Sequence, residues 1–270
     1  MKKRILTAAV GIPVLLGVIF FAPVWGFGIL LGAFCAGGAY ELIHCAVKDT
    51  PKRVIVVSGA VAFALPFLYS LGMETRWGVG IMLLLLFVLS VELLFSTRVT
   101  FEMLATALVA GAALPMMLAT LVRMEQVDGT GVVRILIPFV IAFSSDAGAY
   151  FFGRAFGKRK LAPRISPHKT VAGAIGGVVC GSLCCVLYGL IVGCFGFKTS
   201  ILSLASFGAV GSVVAQLGDL TFSAIKRQYG IKDYSNLLPG HGGVLDRLDS
   251  LYYLSPLTEL WMLLAPVVWL

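Results

Sequence analysis

The chain has 270 residues, 59% of them apolar or aromatic and only 13% charged, about half the charged share of a soluble domain. A mean hydropathy of +0.97, with repeated apolar runs of roughly 17 to 25 residues, excludes an ordinary water-soluble fold and suits helices crossing ~30 Å of hydrocarbon. The net charge of +8 needs no nucleic-acid partner, because membrane chains carry an excess of Lys and Arg in their cytoplasmic loops.

The apolar runs are continuous and lack the alternation of barrel strands, so the expected fold class is all-α, a polytopic integral membrane protein with about nine transmembrane helices. Lys2, Lys3 and Arg4 precede a stretch from Ile5 to Phe21 that is long for a signal-peptide core. The following Ala22-Pro23-Val24-Trp25-Gly26 offers no clear cleavage site, so this stretch reads as a first span. Expected spans cover 5–22, 25–47, 54–72, 77–95, 101–122, 132–152, 171–195, 200–225 and 247–269. The third and fourth divide at 72–77, the fifth and sixth at 123–131. Most of the six Cys fall inside apolar runs without CxxC pairing, which suits packing rather than zinc or disulfides.

Nine crossings put the termini on opposite sides, and the cations then sort unevenly. Seventeen of the 21 Lys and Arg fall on the side of the N-terminus, and only Arg76, Arg123, Arg134 and Lys198 fall on the other. The positive-inside rule makes the N-terminus and the loops 153–170 and 226–246 cytoplasmic. By chain order, residues 1–130 form lipid-facing and packing helices, and residues 131–270 form a catalytic region that carries both loops.

Four acids, Glu41, Glu92, Asp146 and Asp219, fall inside apolar spans, where a carboxylate is costly and faces a polar cavity. Asp246 and Asp249 stand three apart at the start of the ninth span, one helical turn from each other, a spacing suited to sharing metal ions. Asp219 and Ser223 share a helix face in the same way. The loop around 153–170 carries six Lys and Arg and a Ser-Pro-His-Lys-Thr run leading into the seventh span, where a helix N-terminus favours phosphate. In the second loop Gly240, Gly242 and Gly243 surround His241 and permit close approach to a ligand. Carboxylates beside clustered cations point to a divalent metal carrying a polyphosphate.

The stretch Ser223-x-Ile225-Lys226-Arg227-x4-Lys232-Asp233-x-Ser235-x2-Leu238-Pro239-x-His241-Gly242-Gly243-Val244-x-Asp246-Arg247-Leu248-Asp249 resembles the signature of the phosphatidate cytidylyltransferases, or CDP-diacylglycerol synthases. The resemblance extends upstream through Asp146, Tyr150, Gly153, Phe156-Gly157-Lys158 and Ser166-Pro167-x-Lys169-Thr170. It covers the C-terminal half well and the N-terminal half mainly by hydropathy. After Val171 many family members have Glu or Gln, whereas this chain has Ala172, so no role is carried over to that position.

The resemblance implies transfer of CMP from CTP to phosphatidic acid, with Mg2+ as cofactor and a second cation left open. Asp219 and Asp246 come first as metal ligands, with Asp249 third. Asp246, Asp249, Lys226 and Arg247 are the expected catalytic set. Asp146, Ser166, Lys169, Thr170, Ser223, Arg227, Lys232, Asp233, His241, Gly242 and Gly243 are the expected substrate contacts. The implied partners are CTP, phosphatidic acid and membrane lipids, without nucleic acid, and a homodimer stays open. The expected location is the cytoplasmic membrane of a bacterium, with the active site facing the cytoplasm. A CTP-dependent polyprenol or phytol kinase is the competing enzyme. An ion-coupled transporter is the competing non-enzyme, disfavoured by the absence of an internal repeat.

Overall fold

The computed structural model describes residues 2–127, 129–237, 242–265 and 267–269, with side chains from Pro13 onward. In hydrocarbon a backbone must satisfy its own N–H and C=O groups, so the apolar runs fold as helices. They are α1 (Lys2–Phe21), α2 (Val24–Ala46), α3 (Lys52–Ser70), α4 (Thr75–Phe95), α5 (Phe101–Leu108), α6 (Leu114–Glu125), α7 (Gly131–Phe156), α8 (Val171–Cys194), α9 (Ile201–Gln228) and α10 (Leu245–Leu264). A π-helical turn, Val109–Ala113, joins α5 to α6, so the described residues form nine continuous helices, as many as the expected spans, although the ninth ends at Leu264 and Val268–Trp269 of its expected range form a strand. The position of the π-helical turn has a cause: Pro115 has no N–H for the carbonyl of Gly111 and its ring crowds that group, and the wider turn makes room.

Among the described residues, seven helices are long and apolar enough to cross a membrane. The last, α10, departs in composition because Asp246, Arg247 and Asp249 crowd its first five positions. Side-chain placement is that of a protein solvated by lipid. Leu83, Leu84 and Phe87 on α4 and Leu183 and Leu187 on α8 are exposed, while Glu41, Ser58, Ser145, Ser212, Ser255 and Thr258 are buried.

The chain forms two compact units, Met1–Gln126 with Tyr229–Leu248, and Val127–Gln228 with Asp249–Leu270. The segment 229–248 therefore packs with helices of the N-terminal half, an association that chain order does not contain. Within the first unit, α2 and α3 approach closely because Gly32 faces the carbonyl of Phe63, and a Cβ there would come within 2.6 Å of it. Glu92 pairs with Arg53 at 2.8 Å, which gives this acid a structural partner. Within the second unit, α7, α8 and α9 meet through small residues, with Gly148 against Cys180 and Gly181 against Ser212. Along α9, α10 is seated by the Phe222–Tyr252 and Phe207–Trp261 ring contacts.

The expected loop 153–170 is shorter and more ordered than the sequence suggests. After α7, β1 (Lys160–Ala162) pairs antiparallel with β2 (Ser166–Thr170), Lys160 opposite Thr170 and Ala162 opposite Ser166. Pro163 takes the second position of the turn, closed by Ile165 N–H donating to Ala162 O at 3.1 Å. A second small pair, β3 (Lys198–Thr199) with β4 (Val268–Trp269), lies in the same unit.

Candidate active site

In the second unit, a cleft of about 490 Å3 opens where α7, the hairpin, the start of α8 and the middle of α9 meet. Thr170 ends the hairpin and caps α8, its Oγ1 accepting from Gly173 N–H at 3.1 Å. That cap directs the positive end of α8 into the cleft, where it favours an anion. Asp146, Tyr150 and Arg154 come from α7, His168 and Lys169 from β2, and Gln216 and Asp219 from α9.

Lys169 Nζ forms a short, partly buried ion pair with Asp219 Oδ2. The other oxygen of Asp219 accepts from Ser223 Oγ at 3.2 Å, the one-turn pairing expected from their spacing. Asp249 interacts electrostatically with Asp219, Asp146 and the buried Lys226. Ser250 N–H donates to Asp249 Oδ1 at 2.7 Å and fixes that carboxylate. Arg227 donates from Nε to Ile165 O at 3.2 Å, which ties the hairpin turn to the end of α9, and Ser166 begins the returning strand. Thus the second unit brings together Asp146, Lys169, Thr170, Ser223, Lys226 and Asp219 with Asp249. Gln216, His168 and Arg154 join them without having been singled out as site residues, although Gln216 sits one turn from Asp219.

In the first unit, the signature segment is organised by two acids. Glu41, 1% exposed on α2, accepts from three donors: Ser235 Oγ at 2.5 Å and Val244 N–H at 2.9 Å on Oε1, and Leu245 N–H at 2.9 Å on Oε2. It supplies from another helix the N-terminal cap of α10. Asp246 accepts through Oδ2 from Tyr234 N–H at 3.0 Å and Gly243 N–H at 2.9 Å, so one oxygen shapes the loop that precedes it.

The glycines follow from this arrangement. Gly242 has φ +86°, and a Cβ on Gly243 would come within 2.6 Å of Glu41 Oε2. Gly37, Glu41 and Cys45 form one stripe of α2. Gly37 faces Val244 and Leu237, and Cys45 lies within electrostatic reach of Asp246. Lys232, Asp233 and Arg247 are exposed, and His241 lies outside the described residues.

Among the described residues no three His, Cys, Asp or Glu side chains form a group that could hold a metal by themselves. The donors present, carboxylates and a Ser hydroxyl, are hard oxygens that suit Mg2+, which is commonly held by one or two carboxylates with the remaining positions left to water and substrate phosphates. The fit is therefore to a metal that arrives with a phosphate ligand.

The sequence pattern of the cytidylyltransferase family matches residues 2–265. A phosphatidate cytidylyltransferase of Bacillus subtilis is 32% identical over 98% of both chains. Proteins of the same name from Pseudomonas aeruginosa, 36% identical over 93% of both chains, and Haemophilus influenzae, 32% identical over 93% of this chain and 94% of the other, align at similar length. A match over nearly the whole chain, joined to a membrane-helical fold with cations and carboxylates gathered in one cleft, places this protein in the cytidylyltransferase family as a nucleotidyltransferase.

Proposed function

We propose that the protein is a phosphatidate cytidylyltransferase, converting CTP and phosphatidic acid to CDP-diacylglycerol and pyrophosphate in phospholipid synthesis. The observation that carries the reading is the cleft in which Lys169 and Asp219 pair beside Asp146, in a chain aligned end to end with relatives of that name.

An oxygen of the phosphate monoester attacks the α-phosphorus of CTP. The bond from that phosphorus to the oxygen bridging to the β-phosphate breaks, and pyrophosphate leaves with the electron pair. A monoester with a second pKa of about 6 is already anionic at neutral pH, so no strong general base is needed. The obstacle is the approach of two polyanions. Lys169, Lys226, Arg227, Lys232 and Arg247 lower that repulsion by contacting phosphate oxygens. Asp219, Asp246 and Asp249, with Ser223, are the candidates from which Mg2+ would draw one or two carboxylates, the substrate phosphates and water supplying the remaining positions. Bound there, the ion supplies charge compensation for the departing pyrophosphate. Asp246 and Asp249 lie one turn apart on a single helix.

Purified protein should form CDP-diacylglycerol from CTP and phosphatidate only with a divalent cation, and a chelator should abolish turnover reversibly. Turnover that persists after thorough chelation would remove the metal from the mechanism. The site faces the cytoplasm of a bacterial inner membrane on the strength of the cation asymmetry. A reporter fused after Leu270 should accordingly read as external, and a cytoplasmic signal would overturn the orientation.

A further inference from the structure

A second, apolar hollow of about 370 Å3 adjoins the polar cleft in the same unit. Its walls are Ile175 and Val179 on α8 and Val213 and Leu217 on α9, with Val178 on its floor. It exists because α8 and α9 are drawn together beneath it. Gln216 fills the space beside Gly177, donating to Ala174 O at 3.2 Å and Ser145 Oγ at 3.4 Å, and Gly181 meets Ser212. The branched side chains above that tight seam stand out as two ridges with a valley between them.

Leu161, Ala174 and Gln216 line both the valley and the polar cleft, so the two adjoin. At one end of this track stand Lys169, His168, Arg154 and the start of α8, which suit a phosphate. At the other end there is almost no polar surface. From Ala174 to Val179 the valley follows α8 for about 8 Å at 1.5 Å per residue.

We infer that this track is the seat of the acceptor lipid, with its phosphate at the Lys169 end of the cleft and one acyl chain in the valley between α8 and α9. The inference rests on the phosphatidate reading and extends it by dividing the cations between substrates. Those of the hairpin and α7 serve the lipid, and those of the signature segment are left for CTP. A chain that moves from bilayer to valley exchanges one apolar surrounding for another, so the gain is packing rather than the hydrophobic effect. The valley therefore positions the phosphate more than it strengthens binding. Filling it costs about tenfold in specificity constant, the order expected when a reacting group is misplaced by a fraction of an ångström.

Val213→Trp and Ile175→Trp narrow the valley from opposite walls. Both native side chains are exposed, at 47% and 62%, so the indole does not enter the core. The full-length protein in mixed micelles is assayed with dioleoyl and with dibutanoyl phosphatidate, the latter with chains too short to fill the valley. The expected result is a roughly tenfold loss of kcat/KM for the long-chain lipid, with the short-chain value and KM for CTP unchanged within about twofold. The short-chain turnover reports correct folding in the same preparation. Equal losses with both lipids, or no loss with either in both variants, would overturn the inference. Failure of the wild-type protein to make any cytidylylated lipid would instead overturn the phosphatidate reading beneath it.

Discussion

Asp246→Asn should lower kcat by roughly 100-fold or more, while the protein still inserts and folds. The structure makes this substitution more informative than truncation. Asp246 uses Oδ2 for the N–H groups of Tyr234 and Gly243, and the carboxamide oxygen of Asn can accept both. Those two contacts are thereby kept while the negative charge of a candidate metal ligand is removed. Loss of one charged ligand, at about 3 kcal/mol in the transition state, corresponds to two orders of magnitude in rate. Asp246→Ala should be worse, because it also releases the two backbone donors. Near-normal turnover of a well-folded Asp246→Asn protein at limiting Mg2+ would take Asp246 out of the metal shell and leave it as a loop clasp.

Glu41→Gln tests whether the clasp itself matters for the chemistry. A carboxamide offers one acceptor oxygen where Glu41 offers two, so its NH2 must face either the Leu245 N–H or the pair formed by Ser235 and Val244. An unsatisfied buried donor costs about 1–3 kcal/mol, and here the strain falls on the first turn of α10, which carries Asp246 and Arg247. The expected result is a fall in kcat of about 10- to 100-fold with a rise in the Mg2+ concentration needed for half-activity. Ser235→Ala removes one donor and leaves both backbone contacts, so it should cost no more than a few-fold. If Glu41→Gln lowers only the yield of folded protein, and the folded fraction keeps its kcat and Mg2+ requirement, then Glu41 supports the fold and does not position the site.

The helical fold was legible because its cause is local: an apolar run of membrane-spanning length has one way to satisfy its backbone. The acids were legible for a related reason, since a carboxylate in such a run must be explained. What could not be read was pairing at a distance. Glu41 meets Val244 across 203 positions, and nothing near either residue in the chain announces the other. Gln216 has no charge to draw notice, yet it joins α7 and α8 to the cleft wall. The hairpin of residues 160–170 is hidden because its strands are basic and proline-interrupted, without the alternation that marks strands. Gly111, at the centre of the π turn, lies against Ser58, a close approach visible only once the helices are packed.

The most direct test uses CTP labelled either at the α-phosphorus or at the γ-phosphorus, given to the purified protein with phosphatidate and Mg2+. Attack by the lipid phosphate on the α-phosphorus must carry α-label and the cytosine ring into the lipid and leave γ-label in pyrophosphate. Gamma-label recovered in lipid, with CDP released, would contradict the assignment and make the protein a CTP-dependent lipid kinase.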